Sequence, residues 1–226
     1  MSPEVVVSDV SVRVDGRTVL SDVSVRLEAR TTAIIGANGS GKSTFVRLLN
    51  GLAEPSSGEV RVRGRDPQRE RTAVRRRVGF VFANPEAQIL MPTPAEDIAL
   101  SVRDLPREKA RARVAAVLDR YGLAGHADVP AAELSGGQKQ LLAIAAVLAT
   151  EPELVIADEP TTMLDLRNAR MIGDLLMERV DAPLIVVTHD LELAARCDEA
   201  VLFDDGRVRA VGGPDDVIRA YRRSCG

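Results

Sequence analysis

Residues 32–43 read TAIIGANGSGKS, a short apolar run followed by a glycine-rich loop that ends in Lys42 and Ser43. The apolar run predicts a strand, and the loop predicts a helix from about Ser43 to Asn50, which Gly51 can end in the left-handed conformation. Glycines let such a loop fold tightly, so that its N–H groups and the helix N-terminus converge on phosphate oxygens. The stretch therefore predicts a nucleotide phosphate site, where Lys42 reaches the β and γ phosphates and the Ser43 hydroxyl binds Mg²⁺. The predicted phosphate-binding residues are Gly36, Ala37, Asn38, Gly39, Ser40, Gly41, Lys42, Ser43 and Thr44.

Two more apolar runs, 154–157 and 184–187, each lead into a polar residue and then a helical pattern. Strands of this kind are buried on both faces, which is typical of a parallel sheet between helices. Residues 5–14 and 23–27 alternate in part around an Asp15-Gly16 turn and predict an antiparallel element. Residues 59–63 alternate between two glycines and predict a strand near a sheet edge. The fold class predicted is therefore α/β.

An amphipathic helix is predicted at 107–121, where Val114, Val117, Leu118 and Tyr121 recur at helical spacing. It lies within a helical insertion that we place at about 85–133. The chain contains no internal repeat, low-complexity tract or long linker, so we expect one domain over residues 1–226.

Acidic residues follow one of the apolar strands, and a histidine follows the other. Asp158 and Glu159 are adjacent, so alternation along the strand separates their directions. We predict that Asp158 serves the Mg²⁺ shell and that Glu159 faces the γ phosphate, where it orients or deprotonates the attacking water. His189 emerges at the carboxyl edge of the sheet, where ligands collect in open α/β folds, and is predicted to contact the γ phosphate. The other histidine, His126, is predicted to be a solvated loop residue.

A second candidate for anion binding is Leu134-Ser135-Gly136-Gly137-Gln138, which opens a long apolar helix predicted to run through Leu148. A Ser-Gly-Gly helix start presents free N–H groups in the same way as the first loop. One chain therefore has two predicted phosphate-binding helix starts.

With these motifs in order, the sequence resembles the ATP-binding cassette (ABC) family over nearly its whole length. The motifs are the phosphate loop, the LSGGQ signature at 134–138, the acidic strand end, a D-loop at 162–165 that ends in Asp165, and the switch histidine His189. The resemblance implies a P-loop NTPase (RecA-like) core. It also implies that the signature residues Ser135, Gly136, Gly137 and Gln138 of one cassette close over ATP held by the phosphate loop of another. The working unit would be a dimer, homomeric or heteromeric, with two composite sites for ATP and Mg²⁺.

Residues 78–88 read VGFVFANPEAQ and look like the segment of energy-coupling-factor importer ATPases that contacts the membrane subunit. Pro92-Thr93 and the run 96–99 agree with that group, which serves cobalt, nickel and vitamins. The run 88–93, QILMPT, favours the biotin type. The resemblance implies a transmembrane partner contacted through about Ala83–Glu96.

Two positions depart from the family pattern. Ala83 stands where the family has a glutamine that binds Mg²⁺ and couples to the transporter. Val14 stands where the family has an aromatic residue that stacks on adenine. Mg²⁺ coordination would then rest on water, Asn84 or Gln88, and adenine binding would be looser.

Whole-chain properties limit the partners. The formal charge of −3 gives no overall field for nucleic acid or an anionic membrane, and residues 69–77, RERTAVRRR, lack interleaved aromatics, which favours a solvated helical face. No apolar run approaches the roughly 18 residues that cross a bilayer, and residues 1–10 contain acids where a secretory leader needs a basic and then an apolar stretch. We therefore expect a cytoplasmic protein held at the membrane's inner face by its partners. Cys197 and Cys225 are predicted to be structural or incidental thiols.

Three alternatives remain open from the sequence. One is a soluble cassette that acts on DNA or ribosomes, although such proteins usually carry two cassettes or a long coiled coil. Another is an exporter subunit. The third is a nucleotide-gated interaction module with little hydrolysis, motivated by Ala83 and Val14, against which Glu159 and His189 argue.

Overall fold

The strands of the protein form two sheets, seen here in a computed structural model that describes residues 5–224. The strands are β1 Val5–Val14, β2 Arg17–Leu27, β3 Thr31–Ile35, β4 Ser57–Val62, β5 Val78–Val81, β6 Leu154–Asp158, β7 Leu184–Val187, β8 Glu199–Asp204 and β9 Arg207–Gly212. The helices are α1 Lys42–Leu49, α2 Arg71–Arg75, α3 Pro94–Ser101, α4 Arg107–Arg120, α5 Gly136–Leu148, α6 Leu166–Glu178, α7 Leu191–Ala195 and α8 Pro214–Ser224. The predicted α/β class is confirmed.

The larger sheet has the order β5-β6-β7-β3-β8-β9, with β9 antiparallel to its neighbour and the other pairs parallel. Every residue of β6 and β7 is buried, as expected for strands covered on both faces. The register sets Asp158 opposite Val187 and Val187 opposite Ile34. The carboxyl ends of β3, β6 and β7 therefore lie side by side at one edge.

Helix α1 lies between the two sheets. The smaller sheet has the order β2-β1-β4, and its apolar side chains share a core with Phe45 of α1 and Ile34 and Phe203 of the larger sheet. The Phe45 and Phe203 ring centroids are 5.0 Å apart. Phe45 is fully buried, which contributes about 1.5–3 kcal/mol by the usual scale of apolar transfer. The antiparallel element predicted at the start of the chain thus covers the helix that follows the phosphate loop.

The opposite face of the larger sheet packs on helices. Alternate strand residues such as Ile35 and Ala157 join one core with Leu142 of α5, Ile172 of α6 and Leu118 of α4. The amphipathic helix predicted at 107–121 is α4, and the helix predicted to open at the signature is α5.

The remaining sequence expectations concern the surface. Residues 71–75 form α2, in which Val74 is buried and both Arg71 and Arg75 are exposed, and Arg71, Arg76 and Arg77 pair with nearby carboxylates. Cys197 is buried, which raises the pKa of its thiol to about 12, while Cys225 lies outside the described residues. Within residues 5–224, no helix has the length and apolar character that a membrane span requires.

Candidate functional site

Neighbouring segments of the fold pack closely against the phosphate loop on two sides. A Cβ on Gly36, at φ 143°, would lie 2.1 Å from the Phe203 carbonyl oxygen, and one on Gly41, at φ 98°, would lie 2.6 Å from Leu20 Cδ2. The Gly206 N–H donates to the Ser40 carbonyl at 3.1 Å. Only glycine fits at positions 36 and 41, because both the space and the backbone conformation exclude a side chain. The loop is thus shaped by β2 and the β8–β9 turn as well as by its own sequence.

The side chain of Lys42 extends back to the start of this loop. Its Nζ donates to the carbonyl oxygens of Gly36 and Ala37 at 2.8 and 3.0 Å. Burial lowers the pKa of the ammonium group, and the charges of Glu159 and Asp158 act in the opposite direction. Ser40 Oγ is buried and has no hydrogen-bond partner among the described residues. An unpaired hydroxyl and a buried cation beside free helix N–H groups fit a phosphate ligand.

Asp158, at the end of β6, accepts a hydrogen bond from Ser43 Oγ at 2.8 Å. Burial raises the pKa of the Asp158 carboxyl, while that bond and the charge of Arg47, 3.7 Å away, oppose the rise. A hydroxyl and a carboxylate in contact are hard oxygen donors of the kind that Mg²⁺ prefers. The residues present therefore fit Mg²⁺. Sequence reasoning did not single out Arg47, which lies one turn beyond Ser43 on α1.

Neither amide proposed as a substitute ligand at this site is free. Asn84 Oδ1 accepts the Glu86 N–H at 3.0 Å and so caps a 3₁₀ turn. Gln88 Oε1 accepts the Phe82 N–H at 3.1 Å, and its amide group donates to Phe80 O at 3.3 Å. Both side chains are held by backbone groups, and the side chain of Ala83 has no ligand atom. Water is the one candidate of the three that is not already engaged in such a contact.

Glu159 and His189 meet beyond the ends of β6 and β7. His189 Nδ1 lies 2.8 Å from Glu159 Oε2, and the same oxygen accepts a hydrogen bond from Thr162 Oγ1 at 2.8 Å. Glu159 has a left-handed backbone, φ 52°, which turns its side chain away from that of Asp158. Thr162 was not predicted as a partner, although it follows Glu159 by three residues in a tight turn.

The signature forms the first turn of α5. Ser135 is the N-cap, and a capping box joins it to Gln138: Ser135 Oγ accepts the Gln138 N–H at 3.3 Å, and the Ser135 N–H donates to Gln138 Oε1 at 2.8 Å. The prediction that His126 is a solvated loop residue is wrong. Its loop folds as a 3₁₀ turn, Ala124–His126, and its Nε2 lies 2.9 Å from Gln138 Nε2.

The D-loop residue Asp165 lies beside the signature. Its carboxylate caps α6 and accepts from the Asn168 backbone at 2.9 Å and from the Asn168 amide group at 2.8 Å. A Cβ on Gly137 would lie 2.5 Å from Asn168 Oδ1. Gly136 in turn lies near Leu164. Signature and D-loop are thus in contact within one chain.

The predicted residues therefore form two groups. The phosphate loop, Asp158, Glu159 and His189 share one sheet edge. Ser135 to Gln138 and Asp165 form the second group, and no hydrogen bond within residues 5–224 joins the signature to the phosphate loop.

Five features together define an ATP-binding cassette ATPase. They are the largely parallel sheet, the phosphate loop, the acidic strand end, the switch histidine and the separate signature helix. The sequence pattern of the family described as "ABC transporter" matches residues 20–162, and the chain belongs to that family. It is an ATPase subunit of the kind coupled to transport.

Similar proteins agree in length and fold. A putative ABC transporter ATP-binding protein of Deinococcus radiodurans is 45% identical over 94% of this chain and 95% of its own. The biotin transport ATP-binding protein BioM of Rhizobium etli is 44% identical over 84% of each chain. The solved structure of cbiO1 from Clostridium perfringens, described as part of the ABC transporter complex cbiONQ, matches with a TM-score of 0.87 at 31% identity, over 97% of this chain and 92% of that one.

Proposed function

We propose that this chain is the ATP-hydrolysing subunit of a membrane importer of the energy-coupling-factor type, and that its solute is a vitamin such as biotin or a metal ion such as cobalt. The names of the similar proteins support this proposal, since they include a biotin transport subunit and a member of the cbiONQ complex. In this view residues 1–226 act as one ATPase domain with a helical subdomain at about 85–133. The chain would work at the cytoplasmic face of the membrane.

The observation that carries the mechanism is the separation of the two anion-binding groups in one chain. One half of an ATP site consists of residues 36–44 with Asp158, Glu159 and His189. The other half consists of Ser135 to Gln138. ATP would lie between the first half in one cassette and the second half in a partner cassette. Ser135 Oγ accepts the Gln138 N–H, which leaves its own hydrogen free to donate to a phosphate oxygen.

Each residue of the first half has a defined part in this mechanism. Lys42 and the loop N–H groups bind the β and γ phosphates, and Ser43 and Asp158 would hold Mg²⁺, which neutralises phosphate charge when bound. Glu159 orients the attacking water and takes its proton. The bonds of Thr162 and His189 to Glu159 Oε2 fix that carboxylate and join it to the residue proposed to sense the γ phosphate.

The proposed membrane-partner surface is a groove of about 320 Å³ beside residues 83–96. Leu52, Phe82 and Leu90 contribute apolar surface to it, and Leu90 is 72% exposed. Asn50 also lines the groove, and its Oδ1 is buried without a hydrogen-bond partner among residues 5–224. Apolar surface beside polar groups of this kind suits a docked helix that brings a hydrogen-bond donor.

Copurification tests this proposal. The tagged chain, expressed in its native host, should bring a transmembrane subunit out of detergent-solubilised membranes, identified by mass spectrometry. Leu90→Glu should lose that subunit and keep ATP binding, because a charge would enter the apolar groove. Leu105→Glu, at another exposed leucine, is the matched control and should keep the subunit. Purification with nucleic acid or ribosomes and no membrane protein would contradict the importer proposal.

A further inference from the structure

The side chain of His126 is joined to the signature through Gln138. Gln138 Oε1 takes the Ser135 N–H at 2.8 Å, so the NH₂ group of Gln138 faces His126. The distance from Gln138 Nε2 to His126 Nε2 is 2.9 Å. Because the amide group can only donate, His126 Nε2 must accept, and the ring hydrogen lies on Nδ1.

The other ring nitrogen of His126 has no hydrogen-bond partner among residues 5–224. His126 Nδ1 is buried and makes no hydrogen bond among the described residues. A buried donor without a partner is unfavourable, and an apolar side chain would fill the same space without that cost. Unlike an apolar residue, a histidine offers the Gln138 amide group an acceptor at Nε2. Packing alone therefore does not account for the histidine.

We propose that His126 is a positioning residue for the composite ATP site, acting through Gln138 on Ser135. His126 holds one end of the Gln138 amide, and the other end holds the Ser135 N–H within the capping box. On its other side the signature turn packs against Asn168, next to Gly137. The turn is thus held between the 3₁₀ turn at Ala124–His126 and the start of α6. This inference rests on the proposed function, in which the signature closes over ATP bound to a second cassette.

The test compares two replacements of similar length in a Glu159→Gln background, which should trap the ATP-bound dimer. His126→Gln places an acceptor oxygen near the position of Nε2, and His126→Met removes the acceptor. We expect His126→Met to raise the ATP concentration for half-maximal dimerisation by about three- to tenfold, the effect of one hydrogen bond between neutral groups. His126→Gln should stay within about twofold of the parent. Light scattering against ATP concentration measures both.

Two further readouts separate positioning from a structural role. Melting temperature should stay within a few degrees of the parent in both variants, because His126→Met loses one hydrogen bond but also removes the unpaired buried donor. ATP affinity of the monomer, measured with Ser135→Arg added to block dimerisation, should not change. If His126→Met folds poorly, His126→Phe serves as a second acceptor-free variant. A double-mutant cycle with Gln138→Leu should be non-additive, because both changes break one contact.

The possible results distinguish a failure of the proposed function from a failure of the His126 inference. A parent that stays monomeric with ATP and with any second cassette contradicts the proposed function and this inference with it. A parent that dimerises while His126→Met dimerises equally well contradicts the inference alone. The inference is also contradicted if His126→Gln weakens ATP-dependent dimerisation as much as His126→Met does. Additive effects of the His126 and Gln138→Leu changes in the double-mutant cycle would contradict it as well.

Discussion

Lys42 is the residue on which we expect nucleotide binding to depend most. Its ammonium group lies across the loop carbonyls, buried beside Asp158 and Glu159, and no other cation among residues 5–224 donates to this loop. We expect Lys42→Ala to lower ATP affinity by more than about tenfold, or roughly 1.4 kcal/mol. Isothermal calorimetry measures this directly, and unchanged affinity would contradict the phosphate site.

Ala83 stands at a position where the family resemblance implies a Mg²⁺ ligand. Asn84 and Gln88 are already held by backbone groups, and a glutamine at position 83 would supply a further oxygen. We expect Ala83→Gln to raise Mg²⁺-dependent ATPase activity or to leave it unchanged, because oxygen ligands suit Mg²⁺. Ala83→Leu, which adds bulk without an oxygen, should give no gain. A large loss in Ala83→Gln would mean that a different group already fills that place.

The charge on Asp158 is expected to lower the stability of the metal-free protein at neutral pH. Burial raises the pKa of its carboxyl above the usual 3.8, so the folded chain binds this proton more tightly than the unfolded chain. Stability from this group is therefore present at low pH and is lost as pH rises through the raised pKa. At pH 7 and without metal, Asp158→Asn should unfold at higher urea than the natural chain. The same change should lower kcat by about a hundredfold or more, because a charged Mg²⁺ ligand is gone. Asp128→Asn, in an exposed loop, should change neither quantity.

At the scale of elements, β5 approaches α5 more closely than a side chain allows. A Cβ on Gly79 would lie 2.5 Å from Val147 Cγ1 and 3.1 Å from Pro152 Cγ. We expect Gly79→Ala to cost about 1–3 kcal/mol in urea unfolding, because the side chains of Val147 and Pro152 must shift to admit the methyl group. Gly125→Ala is the matched control, since its Cβ would meet nothing within 4 Å. Equal stability of the two variants would contradict this packing.

The strands and helices that carry the site could be predicted because their signals are local. The phosphate loop, β6, β7 and α5 each combine an apolar pattern with a polar residue at one end, and all four form as expected. The support that β2 and the β8–β9 turn give to the loop could not be predicted. It depends on backbone contacts between segments distant in sequence, such as Gly206 with Ser40.

The contacts made by individual side chains were harder to predict. That Asp158, Glu159 and His189 share one edge follows from the order of parallel strands. The bond between His126 and Gln138 joins a loop to a helix start twelve residues later, and no periodic pattern marks it. The hydrogen bond from Thr162 to Glu159 was equally hard to predict, since the hydroxyl reaches the carboxylate only because the intervening turn is tight.

At the scale of the whole molecule, the central claim is that two cassettes enclose ATP between Lys42 of one and Ser135 to Gln138 of the other. Glu159→Gln gives the sharpest test, because it preserves the shape of the site and removes the carboxylate proposed to activate water. We predict that light scattering finds a dimer with Mg-ATP and a monomer without it. Adding Ser135→Arg should abolish the dimer. A Glu159→Gln chain that stays monomeric at saturating ATP, alone and mixed with the cassette that copurifies from membranes, would contradict the account.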